Sequence, residues 1–347
     1  VATFEYLDSF GYSTVVADHC DLVVTSGIDV TKSITASSGA SGGPSMRFAD
    51  GSGSSDQAHG IRRNLASGGA TRYIAFRLRL SALPPTNDVS FLHLLDDASV
   101  QLDFRVTALG AIKATRAGTL LGTSSNGIVA ANVYRHYEVK VLIANSGGTI
   151  DIWQDGINVL SLSGLDTQVT ANARINQVQL SYYTNGTHVT AINADFCDWV
   201  VSDSQINQAR VDYFPGNAVG NSSQWTKSAG TNNYENIDET GSKDTADYNS
   251  TANVTDKDTF GFGNVPATST VLCVGLIGLV DKQDAGTAGV KMGVRHSGTD
   301  YFGTEFAPPL GSIIYIRDFL AQNPGAGPGD WTPTDVNAAE IGYERSA

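Results

Sequence analysis

The sequence predicts an all-β protein organised as two domains. Glycine, serine and threonine are abundant, and only 16% of residues are charged. Short runs of β-branched and aromatic residues alternate with polar ones, and long amphipathic stretches of helical period are missing. At 347 residues the chain exceeds what one hydrophobic core comfortably organises, so a division is expected.

In chain order, "SMRFADGSG" (45–53) reads as a strand running into a Gly/Ser turn. "TRYIAFRLRLSALPP" (71–85) is a longer strand stopped by prolines, which cannot donate to a ladder. "VSFLHLLDDASVQLDFRVTALG" (89–110) reads as two strands around Asp96-Asp97. In "HYEVKVLIANSGGTIDIWQDGINVLSLSG" (136–164) polar and apolar residues alternate on both sides of Asp155-Gly156. A two-residue type I′ turn needs positive φ, which Asp-Gly accepts, so a tight hairpin is predicted there. "INQVQLSYYT" and "ADFCDWVVS" close this half.

Residues 204–257 are polar and rich in Asn, Thr and Asp, with strand candidates around Val211–Phe214 and Trp225. Stronger strands follow in "TFGFGNV", "STVLCVGLIGLVDK", "GVKMGVRHSG" and "SIIYIRDFLAQ". "WTPTDVNAAEIGY" predicts a short helix before a last strand, with Thr332 as N-cap, Pro333 at N1 and Asp335 at N3. The expected domains are therefore 1–203 and 204–347. "ADHCDLVVT" (17–25) is echoed by "ADFCDWVVS" (194–202), and the pair reads as the first and last strands of one sandwich. On that reading Cys20 and Cys197 are candidate neighbours.

Formal net charge is −13, and no basic run is longer than Arg62-Arg63, so a phosphate-tracking nucleic-acid groove is excluded. The longest apolar run, Val271 to Val280, is too short to cross a bilayer and reads as a buried strand, so no membrane insertion is expected. The opening residues lack a signal-peptide pattern, and three cysteines do not suggest a disulfide framework. Synthesis in a reducing cytoplasm is the expectation.

Several of these phrases carry a resemblance. "F-x-x-L-D-S-F-G-Y", "SMRFADG", "FRLRLSALP", "YEVKV…GGTIDIWQDGINVLSLSG" and "DFCDWVV" resemble a concanavalin A-like (laminin-G-like) jelly roll. Together with "QWT…GTNNYENIDE", "VTDKDTFGF", "DKQDAGTAGVKMGVRHSGTDYFG" and "WTPTDVNAAEIGY", they are similar to tailed-bacteriophage virion proteins. The resemblance implies a jelly-roll sandwich followed by a second, smaller β-sandwich domain. It implies a non-enzymatic structural protein on the tail or capsid surface, a fibre or decoration subunit assembled in the host bacterial cytoplasm. Other virion proteins, copies of itself and host surface polysaccharide are the implied partners. A dedicated glycan-binding adhesion lectin is the alternative.

Catalytic chemistry finds little support in the residues. A glycoside hydrolase needs paired carboxylates flanking the bond. The first domain has two glutamates, Glu5 and Glu138, and no E-x-D-x-E run. Gly39 to Gly43 satisfies G-x-S-x-G without the strand and helix that a nucleophile elbow requires. Sugar recognition uses aromatic faces and amides, and "SYYTNGTH" offers Tyr182, Tyr183, Asn185 and His188. Calcium takes oxygen ligands, for which Asp96, Asp97, Asp256 and Asp258 are weak candidates lacking calcium-loop spacing. No other cofactor is indicated.

Overall fold

A computed structural model describes residues 2–26, 30–40, 42–50, 57–184, 191–241, 244–326 and 329–347. These form two compact units, Ala2–Asp212 and Tyr213–Ala347. Ser41 of the G-x-S-x-G match lies outside the described residues.

Among the described residues the first unit contains fifteen strands. In order they are β1 (Phe4–Asp8), β2 (Leu22–Ser26), β3 (Val30–Thr35), β4 (Ser45–Asp50) and β5 (Gln57–Gly69). Next come β6 (Thr71–Leu80), β7 (Val89–Asp96), β8 (Ser99–Val106), β9 (Ile112–Arg116) and β10 (Thr119–Thr123). The last are β11 (Arg135–Leu142), β12 (Gly148–Gln154), β13 (Ile157–Leu165), β14 (Ile175–Thr184) and β15 (Asn193–Ser202). They build a seven-stranded sheet, β10-β9-β8-β7-β14-β5-β2, and an eight-stranded one, β13-β12-β11-β6-β15-β4-β3 with β1 also on β15. This is an all-β jelly-roll sandwich.

Alternation decides which residues face between the sheets. Phe76 of β6 meets Phe91 of β7 with ring centroids 5.8 Å apart, so the two sheets touch through aromatic side chains. Phe48, Phe104, Tyr137, Phe196 and Trp199 are buried in the same core. Each buried ring of this size contributes about 1.5–3 kcal/mol from surface withdrawn from water. The predicted hairpin forms as expected: Gln154 pairs with Ile157, and Asp155 and Gly156 hold φ of 48° and 82°.

The echoed motif folds differently in its two copies. The second copy is β15. The first copy instead holds a 3-10 turn at Val16–His19 before β2 begins. Local side-chain bonds override the extended pattern. Buried His19 faces Asp8 through Nδ1 at 2.9 Å and the Ser13 carbonyl through Nε2 at 2.8 Å, while Ser13 donates to Asp18. The strand that does meet β15 is β1, from Trp199 to Ser202, while β4 pairs with residues Asn193 to Phe196. Asp198, at φ 54°, marks the change of partner. Cys20 leads into the seven-stranded sheet, Cys197 lies in the eight-stranded one, and both are free thiols.

The second unit comprises β16 (Gly216–Ser223), β17 (Thr226–Lys227), β18 (Asn249–Ser250), β19 (Lys257–Phe262) and β20 (Val274–Val280). It continues with β21 (Val290–His296), β22 (Thr299–Phe306), β23 (Ile314–Leu320), α1 (Pro333–Ala338) and β24 (Glu340–Arg345). A five-stranded sheet, β16-β19-β24-β21-β22, is accompanied by the ribbons β17-β18 and β20-β23. Leu276, Val294, Ile316, Trp331 and Val336 share its core. Helix α1 starts as predicted, with the Asp335 amide donating to Thr332 Oγ1 and the Thr332 amide donating to the Asp335 carboxylate. Residues 211–214 form no strand; the Val211 amide is taken by Asp198 and Pro215 cannot donate. Of the apolar run only Val274–Val280 is a strand, and within it only Leu276 is buried because its ribbon has a single ladder. Among the described residues no helix is long and apolar enough to cross a membrane.

Candidate functional site

The face of the seven-stranded sheet that points away from the core carries an ordered set of polar side chains. Along β14, Val178, Leu180 and Tyr182 point inward, so Gln177, Gln179, Ser181 and Tyr183 point outward. Strand register then places polar residues opposite one another. Arg62 on β5 pairs with Gln179, Gln179 with His93 on β7, His93 with Asp103 on β8, and Asp103 with Thr115 on β9. A second row runs Tyr183, Ser90, Arg105 and Lys113. Between the rows, β7 shifts register against β14, which brings Ser90 under the His93 ring.

Hydrogen bonds lock the first row. Arg62 donates from Nε at 3.0 Å and from Nη2 at 2.8 Å to the Gln179 side-chain oxygen. That fixes the amide, whose nitrogen lies 3.2 Å from His93 Nδ1. Ser181 Oγ is also 3.2 Å from that nitrogen. His93 Nε2 sits 3.2 Å from Asp103 Oδ1 and 2.9 Å from Ser90 Oγ. A carboxylate only accepts, so Nε2 carries the proton and Nδ1 keeps the basic lone pair. Arg105 completes the set by donating from Nε to Asp103 Oδ2.

Electrostatics and space reinforce the geometry. Burial opposes ionisation of Asp103, but the hydrogen bond from His93, the Arg105 charge and the Ser90 hydroxyl together hold its carboxyl below the usual range. Gly60, opposite Ser181, leaves room for Gln179: a Cβ there would stand 2.7 Å from the amide nitrogen. On the eight-stranded sheet Arg47 and Arg79 flank Asp195 across the strands, and β11 carries Glu138. That carboxylate accepts from the Ile206 and Asn207 amides, so the 204–212 segment occupies it, and Glu5 is paired with Arg72 at 2.8 Å.

The residues singled out in the sequence distribute as follows. Tyr183 belongs to the face, its ring 6.4 Å from His93. Tyr182 is fully buried with its hydroxyl donating to Asp50 at 2.8 Å, so the tyrosine available to a surface ligand is Tyr183. Asn185 and His188 lie outside the described residues. Asp96 accepts from Thr170, Asn172 and Arg174, and Asp97 from Arg174 and Asn176. A cation there would have to displace a guanidinium. Asp256 accepts from Thr251 and Asn253. Asp258 is fully buried and accepts from the Gln224 and Trp225 amides, Asn233 and Tyr343, which makes it a structural clip. Among the described residues no group of three or more His, Cys, Asp or Glu could hold a metal ion. Sequence reading missed His93, Gln179, Asp103 and Arg62. The alternation in "NQVQLSY" signalled a polar face, but which strands flank it is set by register that one sequence does not display.

No protein-family model and no curated protein sequence matches the chain. Solved structures do. Cellulose induced protein Cip1 aligns at 14% identity over 58% of this chain and 95% of its own, with a TM-score of 0.40. Alginate lyase Aly36B aligns at 11% identity over 61% of this chain and 98% of its own, TM-score 0.39. A GH131 β-glucanase catalytic domain from Podospora anserina aligns at 10% identity over 60% of this chain and 88% of its own, TM-score 0.37. The sequence-based expectation of a non-enzymatic protein is corrected here. Proteins named as a lyase and a glucanase stand among the neighbours, so the fold does not mark the chain as a non-catalyst.

Proposed function

We propose that this protein engages polysaccharide on a bacterial surface through the outer face of the seven-stranded sheet, as a displayed component of a tailed-phage particle. The observation that carries the reading is the cross-strand row Arg62–Gln179–His93–Asp103, extended by Tyr183, Ser90, Arg105 and Lys113. Sugars are recognised by donors and acceptors held rigidly on a scaffold, with an aromatic surface beside them. Here the donors are locked by strand pairing and Tyr183 supplies the ring. The virion setting rests on the sequence resemblance, as do self-association and assembly in the host cytoplasm.

A second reading, turnover of the bound glycan, is favoured by one feature. His93 has one nitrogen oriented by the Asp103 carboxylate, and the other, which accepts from the Gln179 amide, becomes a general base in a fixed tautomer once a substrate displaces that amide.

The test is a glycan array with the full chain, followed by incubation with each bound polysaccharide and analysis for shortened products. Binding that His93→Ala and Tyr183→Ala weaken supports the site, and product formation abolished by His93→Ala supports turnover. Absence of binding to every glycan would remove the polysaccharide reading. Detection of the chain in purified particles would support the virion setting, and its absence there would remove it.

A further inference from the structure

Arg62 differs from the other cations of this face. Arg105 is paired with Asp103 and Lys113 with Asp88 at 2.8 Å. Among the described residues no carboxylate lies within ion-pair distance of Arg62; its acceptors are the amide oxygens of Gln179 and, at 3.4 Å, Gln177. A guanidinium carries five N–H donors, and three are used, one each from Nε, Nη1 and Nη2. Each terminal nitrogen therefore keeps one N–H with no acceptor among the described residues. The group is half-buried, and its surroundings depress its basicity through desolvation. A half-buried cation without a counter-charge is costly, in a chain with 35 acidic and only 22 basic residues to choose from.

One N–H thus remains on each terminal nitrogen, the pair of nitrogens from which a guanidinium can grip a planar oxyanion with two hydrogen bonds. Gln179, held by the same guanidinium, presents its amide nitrogen one strand further along the row, beside His93. The row from Arg62 to Asp103 crosses three strand gaps, about 14 Å, so a chain molecule laid across it meets the cation at one end only. We propose that Arg62 is the subsite for the carboxylate of an acidic sugar, so that the polysaccharide engaged by this face is uronate-bearing. This rests on the polysaccharide reading given above and narrows it. A net charge of −13 repels a polyanion at long range, so selectivity has to come from this one contact and shows a shallow salt dependence.

The test uses the full chain on an array pairing uronate-bearing oligosaccharides with their carboxyl-reduced counterparts, plus sulfated members. Preference for the uronate partner is expected, with Arg62→Gln reducing uronate binding about tenfold or more, as loss of a charge-assisted pair does, and reducing binding of neutral members by less, through the loosened Gln179 alone, so that the uronate preference itself is lost. Arg62→Lys, which keeps the charge and loses the pair of nitrogens, should recover only part of it. Melting temperatures of both variants within a few degrees of the parent establish that they fold. Equal binding within each pair overturns the uronate assignment and leaves the polysaccharide reading standing. So does retention of sulfated members alone. No binding to any glycan overturns both.

Discussion

His93 and Asp103 lie directly opposite each other on neighbouring strands, with Nε2 and Oδ1 3.2 Å apart on the solvent side of the seven-stranded sheet. The contact is made by register: the inward residues on either side, Leu92, Leu94, Leu102 and Phe104, are fully buried and cannot slip without exposing the core. The polar row is thus positioned by hydrophobic packing beneath it. The geometry of the polar row on one face of the sheet is coupled to stability on the other.

Replacing Asp103 tests that coupling. Its carboxyl is depressed in the folded state, so it stabilises the fold fully above its unfolded value, about pH 4, and that contribution disappears as pH falls through the lower folded value. Asp103→Asn should cost about 1–3 kcal/mol at neutral pH and remove this part of the acid limb. Urea unfolding at several pH values measures both. An unchanged acid limb in the variant would show that Asp103 does not carry the dependence.

Gly60→Ala addresses the site more selectively. The added Cβ would stand 2.7 Å from the Gln179 amide nitrogen and 2.8 Å from its Cδ and Cγ, so the whole side chain has to turn away from the row. The expected outcome is a retained fold, with a melting temperature shifted by no more than a few degrees. Glycan binding should fall because Gln179 leaves Arg62 and His93. Full binding by a folded Gly60→Ala protein would show that the Gln179 position is not needed.

Sequence patterning anticipated most of the framework. Asp155-Gly156, Thr332-Pro333-Thr334-Asp335 and the alternation in "INQVQLSYYT" each encode local geometry in adjacent residues, and each forms as expected. The first "ADHCDLVVT" copy was misread because its turn is imposed by Asp8 and Ser13, outside the motif. The row was illegible for the same reason. Arg62, Gln179, His93 and Asp103 come from four strands, and His93 looks like an ordinary break in an apolar run until its neighbours are known.

Asp258 should control the stability of the second unit. It is fully buried, and its two oxygens accept from the Gln224 and Trp225 amides, Asn233 and the Tyr343 hydroxyl. Burial and the neighbouring carboxylate raise the Tyr343 hydroxyl well above its usual pKa, so that hydroxyl remains a donor throughout the accessible range. Asp258→Ala strands several buried donors and should destabilise by about 3 kcal/mol or more. A chelator titration on the parent should leave its stability unchanged, since donors already fill the carboxylate. A chelator-induced loss of stability would instead return Asp258 to the role of a cation ligand.

His136 gives the clearest pH signature. It is 1% exposed, and among the described residues its Nε2 has no hydrogen-bond partner. Burial first, and then the Arg77 charge, push its pKa down to about 4 from an ordinary 6.5. The unfolded chain therefore takes up a proton near pH 6.5 while the folded chain stays neutral until about pH 4. Between those values the unfolded state binds more protons, so stability falls as pH is lowered, by a total on the order of 3 kcal/mol, and then levels off. Above pH 6.5 this contribution is fully present and flat. His136→Leu removes both the titration and the unsatisfied nitrogen, so its unfolding free energy should lack that descent while matching or exceeding the parent's below pH 5. Denaturant unfolding of both proteins from pH 4 to pH 8 decides it: parallel curves across that window would mean that His136 is not the group responsible.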